Sequence, residues 1–159
     1  MKSKLAALAR SFRWAGCGLR YCVMHERNFR IHLSAALFVL WLAGVLDVEG
    51  AGFGLLALAI GGVLAAEMFN TAIEAAVDLA SPGRHPLAKL AKDVSAGAVL
   101  VMALTSVGVG IAVLWRPAGL FALWRLLLAH WQPKALLAIY LALALWFVFG
   151  FGGEKQMRA

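Results

Sequence analysis

Apolar residues gather into four stretches, each bounded by polar or turn-forming positions. Ile31 to Leu46 is the first, ended by the acidic turn Asp47-Val48-Glu49-Gly50. Ala51 to Ala66 is the second, and its helical pattern runs on through polar residues to about Ala80, where Ser81-Pro82-Gly83 stops it. Val94 to Leu114 is the third, closed by Trp115-Arg116-Pro117. Ala135 to Phe151 is the fourth, preceded by Pro133 and followed by a polar tail, Glu154 to Ala159. Stretches of this length match a bilayer core of ~30 Å at ~1.5 Å per helical residue. The second helix would be ~45 Å long, so one end must project beyond the hydrocarbon. Two amphipathic segments complete the pattern. Leu5, Leu8, Phe12, Cys17 and Leu19 alternate with basic residues in the N-terminal arm. Gly119 to Trp131 places Phe121, Trp124 and Leu128 at helical spacing, away from Arg125 and His130.

Composition excludes a water-filled setting for these helices. Of the 159 residues, 63% are hydrophobic and 14% charged, with a mean hydropathy of +0.83. A soluble domain carries roughly 45–50% apolar and about 25% charged residues. Disorder, a collagen-like fibre and a soluble enzyme are therefore set aside. The predicted class is an all-α membrane protein: an amphipathic N-terminal surface helix, three core transmembrane helices and an extra C-terminal one.

The net charge of +7 is unevenly distributed. Lys2, Lys4, Arg10, Arg13, Arg20, Arg27 and Arg30 all fall in the first thirty positions. A basic arm ahead of an apolar stretch marks the cytoplasmic side and anionic lipid headgroups. No nucleic-acid partner is expected, because nothing soluble follows the arm. The Asp47–Glu49 turn is then outside, and the loop with Arg84, Lys89 and Lys92 returns inside. Arg116, Arg125 and Lys134 on one side, and Lys155 and Arg158 on the other, leave the fourth span's orientation open. Cys17 and Cys22 fit no metal or redox spacing and read as reduced thiols. No cleavable signal peptide is expected, since no small-residue cleavage site follows the first apolar run. Gly61-xxx-Ala65 and Gly62-xxx-Ala66 match the spacing that lets helix backbones approach closely.

Charged residues beside lipid point to chemistry, because each costs ~2.5–3.5 kcal/mol near the bilayer centre. Glu67, Asn70, Glu74 and Asp78 recur at intervals of 3, 4 and 4, which places them on one stripe of a helix. Stacked carboxylates repel unless a cation sits among them, and Mg²⁺ takes carboxylate and phosphate oxygens. A solvated helix end is the plainer reading of Glu74 and Asp78. Glu67 follows a run of uncharged residues, where a general-base role is expected. Glu26, just before the first span, suits either a salt bridge with Arg27 or Arg30 or a place in the same polar site. Lys92-Asp93 lies on that side too; the lysine can meet phosphate or snorkel to the interface. No P-loop, kinase glycine loop or dinucleotide fingerprint occurs.

Three ordered motifs carry a resemblance. Glu26-Arg27-Asn28-Phe29-Arg30-Ile31-His32, then Glu67-Met68-Phe69-Asn70-Thr71-Ala72-Ile73-Glu74-Ala75-Ala76-Val77-Asp78, then His85-Pro86-Leu87-Ala88-Lys89-Leu90-Ala91-Lys92-Asp93 with Ala96-Gly97-Ala98-Val99 resemble the small prokaryotic diacylglycerol kinase family. The likeness runs from about residue 10 to 115 and is nearer the undecaprenol kinase branch, with His32 where the diacylglycerol-phosphorylating branch has an acidic residue. Ala96, where that branch has serine, points the same way. A family arginine near the chain start has no counterpart, Arg10 being only a neighbour.

The resemblance implies a homotrimer in a bacterial cell membrane, with sites shared between subunits on the cytoplasmic face. It implies transfer of the γ-phosphate of MgATP to a lipid hydroxyl: undecaprenol, or alternatively diacylglycerol. Glu67 would be the general base; Glu26 and Glu74 would hold Mg²⁺ and, with Lys92, Asp93 and Asp78, the nucleotide. Asn70 and His32 would position the reacting groups. Residues 1–116 would form this core and 117–159 an extension with a surface helix and a fourth span. The rival of another class is a small transporter in which Glu67 binds protons or cations. Such a protein has no evident use for Lys92-Asp93 or for the protruding Glu74 and Asp78.

Overall fold

The computed structural model describes residues 2–151, and every regular element among them is helical. The tail with Lys155 and Arg158 lies outside the described residues. Helix α1 (Lys2–His25) meets α2 (Arg27–Val45) at one extended residue, Glu26. A tight turn joins α2 to α3 (Gly50–Ala80); Asp47 and Gly50 there adopt φ of 49° and 57°. Glycine tolerates that left-handed backbone, and aspartate is among the few other residues that do so routinely. Then come α4 (Pro86–Leu114), the short α5 (Pro117–Ala129) and α6 (Trp131–Leu145), continued by a π turn, Trp146–Gly150.

Four of these helices are long and apolar enough to cross a membrane: α2, α3, α4 and α6 with its π turn. Their packing is inverted relative to a soluble bundle. Leu58, Leu79, Val101, Leu104 and Trp131 face outward, while Glu67, Arg30 and Ser95 are buried. Lipid can solvate outward residues within the spans such as Leu58, Val101 and Leu104, and only protein can satisfy the buried polar ones. The small apolar core of Ala43, Leu46, Val48 and Leu56 sits at the α2–α3 turn, where Val113 and Leu120 pack on it. Arg116 closes this end by donating to the carbonyls of Leu46 (2.8 Å) and Asp47 (3.0 Å).

Helix ends depart from the sequence expectation in instructive ways. The first and third spans begin at Arg27 and Pro86, ahead of Ile31 and Val94, because each helix starts with polar turns that hydropathy does not register. His85 caps α4 by accepting from the Leu87 amide (3.2 Å), and Pro86 occupies the first turn. Pro133, read as a boundary, sits inside the first turn of α6, where its missing N–H has no helical partner to lose. The helix expected over Gly119 to Trp131 spans Pro117–Ala129, and the extended His130 separates it from α6. Of the paired small residues, Gly62 makes the close approach, since a Cβ there would meet Met102 of α4 at 2.4 Å. Gly61 faces open space.

The fourth span's orientation is resolved by its contacts. Pro133 and Leu136 share a cavity with Val45 and Asp47, whereas the Val148 carbonyl accepts from Arg30. Helix α6 therefore runs antiparallel to α2 and finishes at the end of the bundle that carries α1.

Candidate functional site

The stripe on α3 faces its neighbours, and the structure divides it into two parts. The first is a pair. Glu67 is 4% exposed and lies against α2, where His32 Nε2 approaches its Oε1 at 3.3 Å. That approach is an ion-pair distance that engages one carboxylate oxygen. His32 also lines an apolar groove of about 270 Å³ between α2, α3 and α4, with Ala36, Ala59, Val63, Ala103 and Gly110. Val63 is one helical turn before Glu67, so the buried carboxylate marks the groove's end.

The second part is a hydrogen-bonded array between α3 and α4. Asn70 Nδ2 donates to Glu74 Oε1 (3.0 Å), and Ser95 Oγ donates to Asn70 Oδ1 (2.7 Å). Ser95 is buried and also lies 2.9 Å from the Lys92 carbonyl. The reversed amide would set Asn70 Oδ1 against the Glu74 carboxylate, two acceptors face to face. The carboxylate, which can only accept, thus fixes which way Asn70 points. One turn further on, Lys92 Nζ pairs with Asp78. This pair borders a concavity of about 590 Å³ lined by Arg84, His85 and Lys89.

Glu26 stands at the elbow between α1 and α2. Its amide donates to the Cys22 carbonyl (2.9 Å), and Cys22 packs against α3 beside Thr71. Burial pushes the Cys22 thiol above its ordinary range; the Thr71 hydrogen bond opposes this, while the Glu26 and Glu67 carboxylates reinforce it. Cys22 therefore sits within electrostatic reach of both carboxylates. Asp93 is placed apart: it pairs with Lys89 (3.7 Å) along α4, with both side chains exposed.

Among the described residues no three ligating side chains converge on one point. A closed protein cage is not what Mg²⁺ needs, since it takes one or two carboxylates and completes its shell with phosphate and water. Glu74 fits that role, its carboxylate held by Asn70 as ligating carboxylates usually are. The sequence singled out His32, Glu67, Asn70, Glu74, Asp78 and Lys92, and the structure brings them to one end of the bundle. It adds Ser95, which no motif marked, Arg84, used only for topology, and His85, which opened the third motif without an assigned role.

Residues 13–114 match the model of the prokaryotic diacylglycerol kinase family. The chain is 43% identical over 108 residues to a diacylglycerol kinase of Synechocystis, covering 67% of this chain and 62% of that relative. It is 39% identical over 112 residues to the undecaprenol kinase of Bacillus subtilis, covering 70% of this chain and 91% of the relative. A diacylglycerol kinase of Escherichia coli is 33% identical over 111 residues, covering 70% and 89%. The chain thus spans about three fifths of the Synechocystis protein and most of the other two. No solved structure matches. The matched region stops where α4 ends, and α5 and α6 lie beyond it.

Proposed function

Because this chain belongs to the prokaryotic diacylglycerol kinase family, a family of membrane lipid kinases, we propose that it transfers the γ-phosphate of MgATP to the hydroxyl of undecaprenol. The observation that carries this reading is the position of Glu67, buried where an apolar groove meets a polar array. A lipid lying in the groove presents its hydroxyl to that carboxylate. A nucleotide held by the array presents its terminal phosphate from the other side.

Phosphoryl transfer asks the protein mainly for positioning and charge neutralisation. Glu67 takes the hydroxyl proton as the lipid oxygen bonds to the γ-phosphorus, and the bond from phosphorus to the β–γ bridging oxygen breaks to release ADP. His32, 3.3 Å from one carboxylate oxygen, helps to place the carboxylate beside the hydroxyl. Asn70, hydrogen-bonded to Ser95, steadies Glu74. Lys92 exchanges Asp78 for phosphate oxygens. Asp78 then borders the nucleotide, while Asp93, paired with Lys89, stands outside the concavity. Mg²⁺, held by Glu26 and Glu74, would neutralise the phosphate charge.

Residues 1–116 form the kinase core in this account and 117–159 an extension of it. The site lies on the cytoplasmic face of a bacterial cell membrane, in keeping with the arginines and lysines of α1 and the α3–α4 loop. A homotrimer with shared sites agrees with the outward apolar face of α3, where Phe69 is 70% exposed beside Asn70.

Undecaprenol is favoured by the likeness at His32 and Ala96, where the diacylglycerol-phosphorylating branch has an acidic residue and serine; the groove, lined by Ala36, Val39, Leu56, Val63 and Ile111 beside His32, takes an apolar chain. The test is phosphate transfer from γ-labelled ATP, with Mg²⁺, to undecaprenol and diacylglycerol in parallel micelles. We expect kcat/KM for undecaprenol to exceed that for diacylglycerol by at least about tenfold, a difference of ~1.4 kcal/mol in transition-state binding. Preference for diacylglycerol would keep the mechanism and remove His32 and Ala96 as determinants of the lipid.

A further inference from the structure

Arg30 is 7% exposed, and a buried guanidinium needs acceptors for its fixed fork of donors. It finds them at two helix ends. NH1 donates to the carbonyls of Val23 (3.0 Å) and Met24 (3.2 Å), in the last turn of α1. Nε and NH2 donate to the carbonyl of Val148 (3.4 and 3.2 Å), in the π turn that ends α6. Terminal carbonyls lack helical partners and carry the negative end of the helix dipole. One cation therefore closes two helices, one in the region shared with the family and one in the span beyond it. A second tie lies one turn along the same face of α2. The Tyr140 hydroxyl donates to the Ser34 carbonyl, and Ser34 Oγ donates to the Arg30 carbonyl (2.9 Å).

Between α1 and α2 stands Glu26 alone, in extended backbone with φ −104° and ψ 109°. The angle between the helices, and with it the reach of Glu26 toward α3, depends on what holds the two segments across that residue. We infer that the span α6 acts as a clamp on this elbow, with Arg30 the positioning residue through which it fixes Glu26. The functional half of this inference rests on the metal-holding role proposed for Glu26; the structural half does not.

Cys22 reports on the clamp without any catalysis. It is 4% exposed, against α3, one turn before Glu26, and it is the sole thiol once the exposed Cys17 is changed to serine. Phe149→Pro changes a side chain that is 69% exposed. It drives residue 148 out of helical geometry, turning the Val148 carbonyl from Arg30. In full-length Cys17→Ser protein in lipid nanodiscs, labelling of Cys22 by a water-soluble maleimide should accelerate about tenfold with Phe149→Pro, the effect of losing one charge-assisted hydrogen bond. Arg30→Lys should accelerate it similarly, and the double variant should gain less than the sum, as for two ends of one contact. An unchanged labelling rate in Phe149→Pro protein of parental helix content overturns the clamp. If that variant does not insert, Tyr140→Phe carries the test, with a smaller acceleration expected and an unchanged rate again overturning it.

Mg²⁺ titration of lipid kinase activity then separates the two readings. Phe149→Pro should raise the Mg²⁺ concentration for half-maximal activity several-fold, with kcat at saturating Mg²⁺ retained. Glu26→Gln is measured beside it. A shift with Glu26→Gln but none with Phe149→Pro removes α6 as the device that positions Glu26. No shift with Glu26→Gln removes the metal role and leaves the clamp to stand on labelling.

Discussion

Glu67→Gln should lower kcat by about 10³-fold, within the range that a positioned general base contributes, while MgATP binding stays within about twofold of wild type. The substitution is nearly isosteric. Glutamine keeps the length and shape of the side chain, so the 3.3 Å approach of His32 on α2 to this position on α3 is preserved. What disappears is the group able to take a proton from a hydroxyl at the end of the groove. Measuring label transfer and equilibrium nucleotide binding on the same preparation separates chemistry from folding. A variant with near wild-type turnover would remove Glu67 from the mechanism, and with it the significance of its burial.

Glu74→Gln should act on a different quantity. Its carboxylate, oriented by Asn70, lies between Glu67 and Asp78 on α3, on the nucleotide side of the site. Neutralising it should weaken Mg²⁺-dependent ATP binding by at least about tenfold, since even partners of metal ligands are worth that much in affinity. Binding of ATP measured in EDTA should change far less. If the two variants shared one phenotype, the division of the stripe into a base and a metal-holding half would be wrong. Separate phenotypes would place proton transfer at Glu67 and nucleotide capture one to three turns further along the helix.

Periodicity made the stripe visible because Glu67, Asn70, Glu74 and Asp78 obey the helical repeat, and carboxylates beside a bilayer are too costly to be incidental. The spans were legible for the same thermodynamic reason. Their polar first turns were not, since Arg27 to Arg30 and Pro86 to Asp93 extend helices beyond the hydrocarbon without adding hydropathy. Pro133 misled because the same residue that breaks a helix interior is accepted in a first turn. The clamp was invisible for a deeper reason. Arg30 is met by main-chain carbonyls, one of them 118 positions away, and a carbonyl has no letter in the sequence. Ser95 was hidden differently: a lone serine on a helix shows its role only when the helix opposite supplies Asn70. Asp93 shows the converse, a residue beside a motif lysine that the fold turns toward Lys89.

The most direct measurement leaves the acceptor unspecified. Purified protein in nanodiscs made from a total bacterial lipid extract is given γ-labelled ATP and Mg²⁺, and the labelled lipid is identified by mass. The account predicts a single dominant product, the monophosphate of a long polyprenol, formed by wild type and absent with Glu67→Gln. Folded wild-type protein that labels no lipid, or labels lipid equally with and without the Glu67 carboxylate, would contradict it.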